Sequence, residues 1–154
     1  MTNYWLFKSE PTTYSYDDLA SDGVAEWDGV RNFQVRNWLR DAIKPGDGVL
    51  FWHSSANPIG VVGSATVVSE GYPDHTAWDP ESDHPDPKST PDNPIWWMVD
   101  IKADRKFNDI ITADELRAVP ELADMVVLKR GNRLSITPVA EAEFETVMRI
   151  GLSK

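Results

Sequence analysis

Cysteine is absent from the sequence, which removes disulfides, thiolate nucleophiles and cysteine-ligated metals together and suits a reducing compartment. No run approaches the ~20 apolar residues of a membrane-spanning helix. The start, MTNYWLFKSEP, lacks the basic-then-apolar pattern of an export leader, so a cytoplasmic protein with no membrane attachment is expected. A GxxxxGK[ST] phosphate cradle is missing, and so is the GxSxG turn that exposes a nucleophilic serine. Positive charge is scarce as well. With 15 Lys and Arg against 25 Asp and Glu, the formal net charge is -10. That balance opposes non-specific attraction to a polyanion but leaves specific nucleic-acid recognition open.

What is present fits one globular domain over residues 1–154, taken as a monomer. Seven Trp and 11 Pro imply many turns and several large rings that need burial or a ligand. Tyr4 to Lys8 reads as a central strand that stops at SEP, and Ser15 as the cap of a short helix through Ala20. Asn32 reads as a second cap, because Val35, Trp38, Leu39 and Ala42 follow at helical spacing. Strands are expected over Gly48 to His53, Gly60 to Val68 and Ile95 to Ile101. Thr112 with Glu115 forms a capping box for a helix from Ala113. Thr137 followed by Pro138 predicts the opening of a final helix. Strands in the middle with helices between and after them give an α+β class around a curved or closed sheet.

The window Trp27 to Asp41 is net positive in an acidic chain. Arg31 precedes the cap Asn32, Arg36 and Arg40 lie on the predicted polar face of the helix, and a helix N-terminus beside Arg31 is a ready anion site. A second cluster places Lys129, Arg130 and Arg133 around a Gly-Asn turn. All six cations are candidates for phosphate, with salt bridging to the surplus carboxylates as the alternative. Trp27 lies outside any periodic apolar pattern, where it either covers a ligand or plugs the end of a barrel. Alternation along VLFWHSS separates Trp52 from Phe51; Trp52 is either one wall of an aromatic slot, with Ser54 at its mouth, or core.

Catalytic and metal chemistry find little in the sequence. His53, Ser54 and Ser55 are neighbours without a nucleophile motif. His75, Asp79, Asp83, His84 and Asp86 match no standard ligand spacing and fall in a segment, Asp74 to Asp92, with four prolines, read as an irregular surface excursion. No catalytic residue, metal or cofactor is assigned.

The segments YWLFKSEP, YSYDDL, WDGVRNFQVRNWLR, KPGDGVLFWHS, GVVGSATV, YPD, DPKS and RLSITPV resemble, in that order and over nearly the whole chain, the EVE domain family, which is related to YTH and other PUA-like RNA-binding domains. The resemblance implies a PUA-like fold, with a small mixed β-barrel and peripheral short helices. It also implies a non-catalytic reader that takes a modified base into an aromatic-walled pocket. Carried onto this chain, it places the pocket near Lys8, Ser9, Glu10, Trp27, Asn32, Trp52, His53 and Ser54, with Asp86, Pro87 and Lys88 at the rim. Where the family often has tyrosine before the His-Ser pair, this chain has Trp52. The favoured partner is DNA carrying a 5-substituted cytosine; the alternatives are RNA with a modified adenine, a nucleic-acid-modifying enzyme, or a protein-interaction module.

Overall fold

The computed structural model describes residues 2–154. Its strands are β1 (Tyr4–Ser9), β2 (Val24–Glu26), β3 (Gly48–His53), β4 (Gly60–Val67), β5 (Tyr72–Pro73), β6 (Trp97–Met98), β7 (Asp100–Thr112) and β8 (Ile136–Val139). Its helices are α1 (Tyr16–Asp22), α2 (Phe33–Asp41), α3 (Ala113–Arg117) and α4 (Glu141–Leu152). Six strands form one curled sheet in the order β2-β7-β4-β3-β1-β8, while β5 and β6 pair separately. The sheet is mixed, because β1 runs parallel to β3 whereas the other pairings are antiparallel. The expected small barrel is thus a half-barrel, with β2 and β8 left as its edges.

β1 and β3 are buried on both sides, which is why their sequences are nearly continuous apolar runs. Alternation divides their side chains between two clusters. Trp5, Phe7, Val49 and Phe51 enter one together with Tyr16, Leu39 and Ile101. Leu6, Leu50 and Trp52 enter the other with Val61, Ile111, Leu116, Leu122 and Val147. Strand β4 bends where its register against β7 shifts around Gly63. A Cβ there would lie 2.6 Å from the Arg105 carbonyl oxygen, so glycine is required for the close approach.

Local chemistry starts the helices as the sequence predicts. The Ser15 hydroxyl accepts from the Asp18 N–H at 3.1 Å, and Asp18 accepts from the Ser15 N–H at 2.9 Å. Asn32 Oδ1 accepts from the Val35 N–H at 3.0 Å, and Thr112 with Glu115 closes a reciprocal box. The last helix differs from expectation. Thr137 and Pro138 belong to β8, opposite Leu6 and Trp5, and α4 begins at Glu141 with the Glu143 carboxylate accepting from the Ala140 N–H at 2.9 Å. Proline is tolerated there because β8 is an edge strand. The expected strand Ile95 to Ile101 is likewise broken in two, with β7 running on to Thr112.

The acidic excursion is irregular but not loose. Asp74 and Ser89 are buried to 0% exposure and Ala77 to 1%. Its base is a short stem in which Tyr72 pairs with Met98, Pro73 with Trp97, and the Asp74 N–H donates to the Trp96 carbonyl at 2.8 Å.

Candidate functional site

Because β1 and β3 are parallel and in register, their C-terminal ends lie side by side, with Ser9 opposite His53. The Ser54 N–H donates to the Ser9 carbonyl at 2.9 Å, and the Ser55 hydroxyl donates to Glu10 Oε1 at 3.3 Å. The Ser9 hydroxyl donates to the Tyr14 carbonyl. The Lys8 amine is half-buried, and burial pulls its pKa down. The strand ends therefore gather Lys8, Ser9, Glu10, His53 and Ser54 as expected, although alternation turns Lys8 toward the Leu6 and Trp52 side and Ser9 toward the Phe7 side.

Trp27 follows β2, and its N–H donates to the Val99 carbonyl at 2.8 Å. Its half-buried indole packs on Phe7 and Phe51, with ring centroids 5.4 and 5.7 Å away, and meets the edge of Tyr14 at 6.3 Å. The β3 ring that Trp27 meets is Phe51, not Trp52. Trp52 is 5% exposed and sits in the other cluster, so the expectation that Trp27 and Trp52 wall one slot is corrected. The cause is the period of the strand, which sends neighbouring rings to different sides. His53 stays on the Phe51 side, 5.8 Å from that ring, and its Nε2 accepts from the Tyr16 N–H at 3.1 Å. That bond assigns the ring proton to Nδ1, and burial lowers the pKa of the group.

The arginines of the Trp27 to Asp41 window are also reassigned. Arg31 Nη1 pairs with Asp74 at 3.0 Å, and Nη2 donates to the His84 carbonyl at 2.8 Å. Asp74 is fully buried and accepts further bonds from the Gly29 N–H at 2.9 Å and from the Thr76 N–H and hydroxyl. Burial alone would raise its pKa, but the bonds from Thr76, Gly29 and Arg31 outweigh that and hold the carboxyl below its ordinary value. Arg36 Nη1 donates to the Ile95 carbonyl at 2.7 Å, and Arg40 pairs with the adjacent Asp41 at 2.8 Å. Arg31, Arg36 and Arg40 are therefore committed within the chain, two of them to fastening the excursion onto the Trp27 loop and α2. The Asn32 oxygen is engaged as the helix cap, which leaves only its amide NH₂ for a ligand.

The histidines of the excursion face the Trp27 segment, and His75 is bonded to it. His75 Nε2 lies 3.0 Å from Glu26, and His84 Nε2 lies 3.8 Å from Asp28, so one histidine faces a carboxylate on each side of Trp27 in the chain. Gly29, at φ +80°, lets the His84 ring approach to within 3.0 Å of where a Cβ would stand. Asp86 accepts from Trp96 Nε1 at 2.7 Å, while Pro87 and Lys88 are exposed beside it. Lys129, Arg130 and Arg133 are exposed and have no carboxylate partner among the described residues. Their turn borders the site, since the Lys8 N–H donates to the Ser135 carbonyl at 2.9 Å and Leu134 packs on the Trp27 cluster.

Tyr14, Asp74 and Trp96 were not singled out by sequence reasoning. Tyr14 is marked only by the YSYDDL cap region, and Asp74 is indistinguishable in sequence from its solvated neighbours. Two open hollows lie elsewhere, about 500 Å³ beside Trp5, Trp38 and Pro138 and about 320 Å³ beside Pro58 and Arg117. Neither contains a residue of the strand-end group.

The EVE domain family model matches residues 3–150. The chain belongs to the EVE domain family. Mouse thymocyte nuclear protein 1 is 37% identical over 97% of this chain and 74% of its own length. A hypothetical protein from Leishmania major has a solved structure that is 41% identical, with a TM-score of 0.93 over 99% of this chain and 96% of that one. Human THYN1, solved in complex with DNA containing 5-methylcytosine, is 37% identical, with a TM-score of 0.89 over 97% of this chain and 98% of that one. The EVE architecture is PUA-like, and the curled sheet with short helices described above is its form in this chain.

Proposed function

We propose that this chain is a single EVE domain that binds a 5-substituted cytosine in DNA and leaves the base unchanged. The observation that carries the reading is the likeness to human THYN1 in complex with 5-methylcytosine DNA, which extends over 97% of the chain. The site geometry supports it. Trp27 is rigidly backed by Phe7 and Phe51 yet only half-buried, as a stacking surface for an extruded base must be. Ser9, Glu10 and Ser54 supply polar groups at the adjoining strand ends, and the Asn32 amide has free donors; Lys8, on the Trp52 side, has no carboxylate partner among the described residues. Asp86, Pro87 and Lys88 form the outer rim.

Stacking on one ring contributes ~1–3 kcal/mol, which offsets much of the few kcal/mol needed to unstack a base. A buried methyl adds about 0.8 kcal/mol, so selectivity for the modified base rests on a close fit and on the polar edge. Phosphate is assigned to Lys129, Arg130 and Arg133, exposed cations that border the strand ends and have no carboxylate partner among the described residues. A net charge of -10 limits non-specific binding and leaves the local geometry to select the target.

The test is a titration with duplexes carrying cytosine, 5-methylcytosine or 5-hydroxymethylcytosine, alongside RNA with N6-methyladenine, followed by mass analysis of the recovered nucleosides. Tightest binding to a 5-substituted duplex with the base recovered intact is expected. Trp27→Ala should weaken that binding about 5- to 150-fold. Preference for the RNA would move the reading to the adenine alternative, and conversion of the base, abolished by a change at His53 or Ser54, would overturn the non-catalytic assignment.

A further inference from the structure

Phe33, the first residue of α2, is 59% exposed, an unusual setting for a ring that size. Scattered exposed apolar residues are ordinary and by themselves mean nothing. Phe33 differs in how it is supported. Its ring stacks on Trp96 with centroids 4.8 Å apart and planes 30° apart, and the Arg36 guanidinium lies 5.0 Å from its centroid. Trp96 is 6% exposed, with its Nε1 donating to Asp86 at 2.7 Å and the Arg31 guanidinium 5.5 Å from its ring. Arg36 is in turn held by the Ile95 carbonyl at 2.7 Å. A protruding ring is therefore mounted on a fixed base of indole and guanidinium.

The mount is continuous with the Trp27 loop. Arg31 touches both Trp96 and Asp74, and Asp74 also holds the Gly29 N–H at 2.9 Å, two residues along the chain from Trp27. A half-buried ring for stacking and a protruding ring thus share one anchored unit. That pairing matches the needs of base extraction, in which one group receives the base and another fills the step it has vacated. Apolar side chains are the usual wedges at such steps, because they replace lost stacking without competing for hydrogen bonds.

We propose that Phe33 is a wedge that enters the double helix at the step vacated by the extruded base, a role that rests on the DNA-reader assignment and extends it from the base to the duplex around it. The rigid mount keeps the ring from folding back onto the protein.

The experiment measures the affinity of the wild type, Phe33→Ala and Phe33→Leu for one 5-methylcytosine presented in a paired duplex, in the same strand alone, and opposite an abasic site. 2-Aminopurine next to the modified base reports unstacking. Phe33→Ala is expected to weaken duplex binding by about tenfold or more and to reduce the 2-aminopurine signal, while binding to the single strand changes less than about twofold. Phe33→Leu, which keeps an apolar wedge, should fall between. The exposed position predicts an unchanged fold, checked by melting temperature. Equal loss on duplex and single strand would make Phe33 a general stacking contact and overturn the wedge. Wild-type preference for the modified duplex with Phe33→Ala unaffected on every substrate would remove the wedge and leave the reader intact. A wild type without that preference would remove both.

Discussion

The two sides of the half-barrel are built from different materials. The side that includes Trp27 is crowded with rings: Trp5, Phe7, Tyr14, Tyr16, Trp38, Phe51 and Trp97. The other is mainly aliphatic, with Leu6, Leu50, Val61, Ile111, Leu116, Leu122, Met125 and Val147 around Trp52 and Phe107, and with Tyr4 and Phe144 packed at its margin. Aliphatic residues from β7, α3, α4 and the short turns between them close the second side, and Trp52 is sealed within it. The aromatic side is covered by α1 and α2, which supply Tyr16, Leu19, Val35 and Leu39, and by the Trp27 segment, onto which the Arg31–Asp74 pair fastens the acidic excursion. Two tryptophans of one chain therefore have unequal prospects. Trp52 is sealed among regular elements at 5% exposure, whereas Trp27 stands on a fastened loop with its indole half-buried.

The largest expected effect breaks the sealed side. Trp52→Ala should cost about 3–5 kcal/mol of stability in chemical denaturation, as for other large-to-small core changes. Molecules that remain folded should keep their affinity for a modified duplex. A stable Trp52→Ala protein that no longer binds would reverse the comparison. Next is Arg31→Ala, which strips a buried carboxylate of its cation and should cost about 1.5–3 kcal/mol, while the salt dependence of DNA binding stays unchanged. A lower salt slope in that variant would return Arg31 to the phosphate.

The basic turn sharpens the comparison at smaller cost. Lys129→Ala and Arg130→Ala should each lower the salt slope of DNA binding by about one unit, weaken modified and unmodified duplexes alike, and alter stability by less than about 0.5 kcal/mol.

The smallest effect is in pH dependence, where two histidines have opposite signs. The hydrogen bond to Glu26 raises the His75 pKa above its ordinary 6.5, so the contribution of that pair is complete below 6.5 and is lost as pH rises through the raised value. At the acid end, the His75 hydrogen bond lowers the Glu26 pKa from 4.5, and the pair fails as pH falls through that lowered value. Burial lowers His53 from 6.5, so its contribution is complete above 6.5 and is lost as pH falls through the lowered value. In an NMR titration of the ring protons His75 should therefore titrate at higher pH than His53, and the reverse order would contradict both assignments.

How much of this was legible in the sequence follows from how local each signal is. β1 and β3 announce themselves because burial on both sides demands an apolar residue at nearly every position. The caps Ser15, Asn32 and Thr112 each act within three residues of their targets. β7 is obscured because its middle is exposed, leaving a polar run such as DRKFND with Phe107 alone turned inward. Thr137–Pro138 carries a helix-start signal, yet pairing with β1 overrides it. The Arg31 cluster was least accessible, since its partner Asp74 lies 43 residues away among acids that look alike. Family resemblance located the strand ends and the Trp27 loop, but only the pleat of β3 decided between Phe51 and Trp52.

The short stem beneath the acidic excursion has a consequence for how the protein can change. Residues 75–95 hang from a rung already closed by the Asp74 to Trp96 bond, next to the separate β5 and β6 pair. What lies above that rung is a replaceable cassette. Doubling the length of a flexible insert costs only about 0.6 kcal/mol of closure entropy, so the part between Trp78 and Ser82 can be lengthened, shortened or exchanged without entering the sheet. Asp74, His84, Asp86 and Trp96 are the fittings that any exchanged cassette must keep, and a library confined between them would vary the rim of the site on a constant scaffold.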